Sequence, residues 1–169
     1  VAAPVCDETA RCYKQWNRFS AALALMSDMS MATMGGDLKR RERISARLGD
    51  ILSMLYITST ILKRYNDDGR PAQDLPLVQW GCEDNLARAQ TALDELFDNF
   101  PARAVGVVME RVVFPWGRTL RRPSDVTDHQ VARIMQTPCE ARTRLGNHLY
   151  LTQEPNNLLG QLEKAFADI

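Results

Sequence analysis

Apolar residues recur at helical spacing along most of the chain, and glycine or proline stands where the recurrence breaks. Residues 7–34 contain neither, and Trp16, Phe19, Leu23 and Met26 advance by three or four positions, which places them on one face of a first helix. Gly35-Gly36 stops it, because glycine accepts the left-handed backbone of a helix C-cap. Asp37 is placed to cap a second helix. There Ile44, Leu48, Ile51, Leu55, Thr58, Leu62 and Tyr65 step alternately by four and three, a heptad seam suited to long antiparallel packing. Lys63 and Arg64 favour the dipole of its last turn, and Asn66-Asp67-Asp68-Gly69 closes it.

Pro76 suits the first turn of a third helix running to about Asn99, ended by Pro101. Leu86, Leu93, Leu96, Phe97 and Phe100 mark its inner side, with Glu83, Asp84, Asp94, Glu95 and Asp98 facing water. The valines of residues 102–114 favour strand locally. Positions 105, 108, 109, 112 and 116 nevertheless share a helical face, and no partner strand is visible, so a helix is predicted. Beyond the loop through Phe114-Pro115-Trp116-Gly117, Ser124 caps a short helix and Thr137-Pro138 starts another that stops at Gly146. Residues 147–155 read as extended, and a last amphipathic helix begins near Asn157. The predicted fold is all-α: a bundle of about three long helices with several short helices packed on it.

A chain of 169 residues with 45% apolar and 25% charged positions can bury a core without metals or disulfides. Basic and acidic residues balance at 21 each, which argues against nucleic acid as a partner. Their distribution is uneven. Residues 66–100 hold two basic and eight acidic side chains, and residues 101–146 hold eight basic and four acidic. Neighbouring helices can pair these charges, or the basic part can face anionic lipid or another domain. Cys6, Cys12, Cys82 and Cys139 show no CxxC spacing and no zinc-like cluster with histidine, which suits reduced cysteines packed as small apolar fillers in a cytosolic protein. The chain begins at Val1 in polar sequence, without signal peptide or apolar run of about 18 residues. It reads as a soluble fragment of something longer.

No constellation proposes a nucleophile, a base or a metal. His129 and His148 stand apart from any nucleophile, and Asp67-Asp68 and Asp94-Glu95 are neighbours that point apart on a helix. Gly35-Gly36 lacks the GxGxxG spacing and the preceding strand of a phosphate cradle. Two groups of residues remain as contact candidates. Lys39, Arg40, Arg41, Arg43 and Arg47 put positive charge at a helix N-terminus against the macrodipole, so lipid headgroups or a neighbouring acidic surface, ion pairs with Glu42, Asp50 or the third helix, or, least favoured, a coenzyme A phosphate should compensate. Trp116, with Val112, Val113 and Phe114 before it and Arg118, Arg121 and Arg122 after it, has the lettering of an interfacial anchor: apolar wedge, aromatic residue, basic rim. An ordinary core helix followed by a charged loop explains the same letters. Met26, Met29, Met31 and Met34 cannot share one face, so the first helix is apolar on more than one side.

The run GGDLKRRERISARLGDILSMLYITSTILKRYNDDGR from Gly35 to Arg70 resembles the C-terminal region of the large, membrane-associated bacterial acyl-coenzyme A dehydrogenases. The likeness continues through Leu75-Pro76-Leu77-Val78, Leu93-Asp94-Glu95-Leu96, Asn99-Phe100-Pro101, Phe114-Pro115-x-Gly117-Arg118 and Pro123-Ser124-Asp125. It covers the chain from about Arg11 onward. The resemblance implies a parent enzyme of fatty-acid β-oxidation that introduces an α,β double bond, a glutamate taking the α-proton while hydride passes to FAD. It places the flavin site and that glutamate upstream, so no catalytic, cofactor or metal residue is expected in this chain. Residues 1–36 are then expected to continue from the catalytic body, and 37–169 to form the C-terminal helical domain. The implied partners are the catalytic domains, a second copy of the chain and a peripheral anionic membrane, with the protein in the cytoplasm or at the cytoplasmic face of the inner membrane. The alternative is a free-standing helical binding module with no enzyme attached.

Overall fold

The computed structural model describes residues 8–152, 154 and 156–167, and the architecture is all-α: three long packed helices with shorter ones around them. In chain order they are α1 (Ala10–Met34), α2 (Glu42–Asp67), α3 (Leu75–Asp98), α4 (Arg103–Val113), α5 (Asp125–Gln136), α6 (Glu140–Gly146) and α7 (Leu158–Ala167). The most extensive packing is between α2 and α3, with α1 laid against both and α4 against α3. The first helix is expected from residue 7, which, like Cys6, lies outside the described residues; α1 begins at Ala10.

The seam of α2 is buried as its spacing requires. Ile44, Ile51, Leu55, Thr58, Leu62 and Tyr65 are all buried, while Leu48 is only half-buried at the edge. Ile44, Ile51 and Leu55 meet Leu86, Leu93, Leu96 and Phe97 from α3, Phe100 just beyond it, and Phe19 and Met26 from α1, while Leu62 and Tyr65 pack with Val78 and Cys82 in a second, smaller cluster. Phe114 closes the core, its ring edge-on to Phe97 at 5.8 Å and tilted 6.2 Å from Phe19. One acidic residue departs from the expected pattern. Asp84 is buried, not wet, and is neutralised by Arg88 one turn on at 2.7 Å.

Three local expectations are corrected. Asp37 does not cap α2: Gly35–Arg40 winds into a 3₁₀ segment, and α2 starts at Glu42 with no side-chain cap. Gly35 still ends α1, at φ 50°. The inward face of α4 is Ala102, Val105, Gly106, Met109 and Val113, so Val108, Val112 and Trp116 point to solvent. Gly106 decides this, because only a residue without Cβ can lie against the Phe97 carbonyl. α6 begins at Glu140, two residues later than Pro138 suggested. Ser124 caps α5 as expected, accepting from Thr127 N–H at 3.3 Å.

Candidate functional site

The charge asymmetry of the sequence is largely spent inside the molecule. Arg118 pairs with Asp94 on α3 and lies 3.2 Å from Glu110 on α4. Arg144 grips Asp74 with two bonds of 2.6 and 3.0 Å, which holds the guanidinium still more firmly protonated than usual. Arg103 stands 3.9 Å from Asp98. Each of these arginines comes from the basic stretch and reaches the acidic one. Arg142 on α6 likewise holds Glu163 on α7 through two bonds of 2.6 Å, and that pairing pulls the carboxyl below its ordinary value.

The predicted contact residues divide accordingly. Arg47 bonds Glu95 at 3.3 Å and Arg40 stands 4.0 Å from Asp37. Lys39, Arg41 and Arg43 are exposed and make no ion pair among the described residues. Lys39 and Arg40 end the 3₁₀ segment just before α2, while Arg41 at its N-cap position and Arg43 in its first turn oppose the α2 dipole directly. In the second group, Val113 and Phe114 are core residues and Arg118 is engaged, whereas Trp116 is 87% exposed and Arg121 and Arg122 are exposed and unpaired among the described residues. Of the expected wedge only Val112 faces solvent, joined by Val108 one turn earlier on α4.

A buried amide positions this loop. Gln90 on α3 donates to the Leu120 carbonyl at 3.0 Å and accepts from the Leu120 N–H at 3.1 Å, a paired contact that pins the chain after Trp116 to the bundle. Nothing in the sequence distinguishes Gln90 from an ordinary surface amide.

Sequence reasoning also missed a groove. Small residues Ser20, Ala24 and Ser27 recur on α1 at one-turn spacing and face Gly49, Leu52 and Tyr56 on α2, leaving an apolar channel of about 590 Å³. Its floor is Trp16, Leu23, Leu48 and Leu55, and its rim residues Leu52 and Tyr56 are 59% and 68% exposed. No acidic or basic residue lines it. The signal was present in the repeat of small residues opposite an outward Leu and Tyr. Of the methionines, Met26 is buried and Met34 packs on the core, while Met31 is exposed.

A second depression, of about 660 Å³, opens between the start of α1, α3 and the loop before α5. Cys12, Cys82, Arg11, Glu83, Arg121 and Arg122 are among its walls. His129 and His148 are both exposed, and His129 Nδ1 lies 2.6 Å from the Asp125 carbonyl within its own helix. Among the described residues no group of three or more His, Cys, Asp or Glu is placed to hold a metal. FAD, the cofactor implied for the parent enzyme, does not fit these residues. The described residues contain no strand feeding a glycine turn, and the apolar channel carries no charged group in its lining to meet a pyrophosphate. No helix of the described residues is long and apolar enough to cross a membrane.

No solved structure matches the chain. The family model for the acyl-CoA dehydrogenase C-terminal region, bacterial type, matches residues 1–169. With its whole length covered, this chain belongs to the bacterial-type acyl-CoA dehydrogenase C-terminal family.

Proposed function

We propose that this chain is a structural domain that docks on the catalytic body of its parent acyl-CoA dehydrogenase, with the α1–α2 channel as the seat. The parent would carry the FAD-dependent oxidation of long-chain acyl-CoA, and residues 1–36 would lead from that body into the bundle of 37–169. The channel carries the proposal. An uncharged lining with exposed Leu52 and Tyr56 is the composition of a permanent protein contact, which is more apolar than a transient one. An anionic lipid surface would instead call for basic residues around it, and the channel has none. A second copy of the chain could fill the same channel when the body is missing.

Leu52→Glu with Tyr56→Glu tests the proposal in the full-length parent enzyme. The isolated chain should melt as wild type does, since both side chains are mostly in water. The full-length variant should melt lower, and limited proteolysis should release the domain. If the full-length enzyme is unaffected, the channel is not the seat.

A second reading rests on different residues. Val108, Val112 and Trp116 face outward, and Arg121 and Arg122, a few positions further along the chain, are exposed and unpaired among the described residues, which supports peripheral contact with anionic lipid at the cytoplasmic face of the membrane.

A further inference from the structure

Cys12 and Cys82 are far apart in sequence and meet in the fold. Cys12 lies in the first turns of α1 and Cys82 in the second turn of α3, two helices that pack directly. Both residues line the depression between α1, α3 and the loop before α5. Cys12 packs on the small cluster formed by Leu62, Tyr65, Val78 and Cys82. Their exposures differ: Cys82 is 3% exposed, whereas Cys12 is half-buried. All three described cysteines are free thiols.

We propose that Cys12 and Cys82 are a redox-modification site, a dithiol that peroxide converts to a disulfide clamping α1 to α3. The asymmetry assigns the roles. Cys12 reaches the solvent-filled depression, so its sulfur meets the oxidant first: the Cys12 thiolate attacks one peroxide oxygen, the O–O bond breaks, and hydroxide leaves as Cys12 becomes a sulfenic acid. The Cys82 sulfur then attacks the Cys12 sulfur, the S–OH bond breaks, and the hydroxyl departs with the Cys82 proton as water. In sum, two thiols and one hydrogen peroxide give one disulfide and two waters. Hydrogen bonding to Cys12, with burial added, pushes the Cys82 thiol well above the ordinary cysteine range, so Cys82 is not the sulfur that attacks peroxide, and its deprotonation limits the second step. Cys139, in contrast, donates to the Ile134 carbonyl at 3.6 Å and is not among the residues lining that depression.

The bond would tie the beginning of the first long helix to the third, closing a long loop of chain, and such cross-links restrict the unfolded state most. The experiment exposes the reduced chain to a small molar excess of hydrogen peroxide, blocks remaining thiols with N-ethylmaleimide, and maps peptides by mass spectrometry without reduction. The expected result is loss of two of the four thiols, a Cys12–Cys82 cross-linked peptide, and a higher melting temperature that dithiothreitol reverses. In Cys12→Ser the melting temperature should not respond to peroxide, and the reduced wild type serves as its folding reference. A Cys6–Cys12 peptide, or Cys12 carried to sulfinic acid with Cys82 still alkylatable after unfolding, would overturn the proposal.

Discussion

Trp16 on α1 donates its indole N–H to the Leu55 carbonyl in the middle of α2, at 2.9 Å. That carbonyl already serves the helix ladder, so the bond adds an interhelical contact without freeing a backbone group. It also fixes the ring as the floor of the apolar channel. Trp16→Phe keeps most of the packing and removes the bond. The chain should lose about 0.5–1.5 kcal/mol, and a denaturant titration comparing midpoints at constant slope measures it.

The seam of α2 supplies a graded test. Leu55 is buried and packs in the main cluster, so Leu55→Ala should cost about 2–5 kcal/mol. Leu48 is half-buried at the channel, and Leu48→Ala should cost distinctly less than Leu55→Ala. Equal losses in thermal melts would place Leu48 deeper than the structure does.

Two glycines separate rigid from yielding neighbours. A Cβ on Gly106 would stand 2.7 Å from the Phe97 carbonyl oxygen and 3.1 Å from Phe100 Cβ, against backbone that cannot turn aside. Gly106→Ala should therefore destabilise, the crowding costing about 1–3 kcal/mol against a helix-propensity gain of about 1 kcal/mol. On Gly81 the same atom would meet Ile61 Cδ1 at 2.8 Å, the far end of a side chain that can rotate. Gly81→Ala should be near neutral in the same melt.

The length and seam of each long helix were legible because burial on one face leaves a period of three and four in the letters. The inward face of α4 was not. Valine appears on both of its sides, and the decisive residue, Gly106, acts by lacking a side chain. The start of α2 was obscured because Asp37 suits a 3₁₀ turn as well as an N-cap. Among the candidate contact residues, spacing alone could not show that Arg47 and Arg118 are taken by Glu95 and Asp94, or that Arg121 and Arg122 are left over. Those pairings depend on which helices lie side by side, a relation that composition records only as opposite charge in neighbouring stretches.

α7 is held by a titratable clamp. Arg142 grips Glu163 with both guanidinium nitrogens and rests 4.1 Å from the Phe166 ring centre. The Glu163 carboxyl is depressed in the folded chain, first by this hydrogen bonding. Its contribution is present above the unfolded carboxylate value of about 4.5 and is lost as pH falls through the lower folded value. Amide exchange in α7 should accelerate below that pH in wild type more than in Glu163→Gln, which lacks the clamp at every pH. Parallel profiles would remove Glu163 from the attachment of α7.

The membrane reading and the internal-pairing reading assign different arginines different work, so they can be separated residue by residue. Arg121 and Arg122 are exposed and unpaired among the described residues, and Val108, Val112 and Trp116 before them in the chain face outward. Arg118 is engaged by Asp94 and Glu110. Basic residues at an anionic surface contribute roughly 1 kcal/mol each, with the attraction fading over about 8–10 Å at physiological salt. Vesicles with an anionic lipid fraction should therefore co-sediment the chain at low salt and release it as salt rises. Arg121→Gln with Arg122→Gln should weaken that binding by up to about thirtyfold, which is two such contributions at about 1.4 kcal/mol per tenfold, and leave the melting temperature unchanged. Trp116→Ala should also release the chain, by removing the aromatic residue from the interface. Arg118→Gln should do the reverse: lower the melting temperature and leave vesicle binding alone. No co-sedimentation at low salt would end the membrane reading, and the stripe on α4 would then belong to a protein partner.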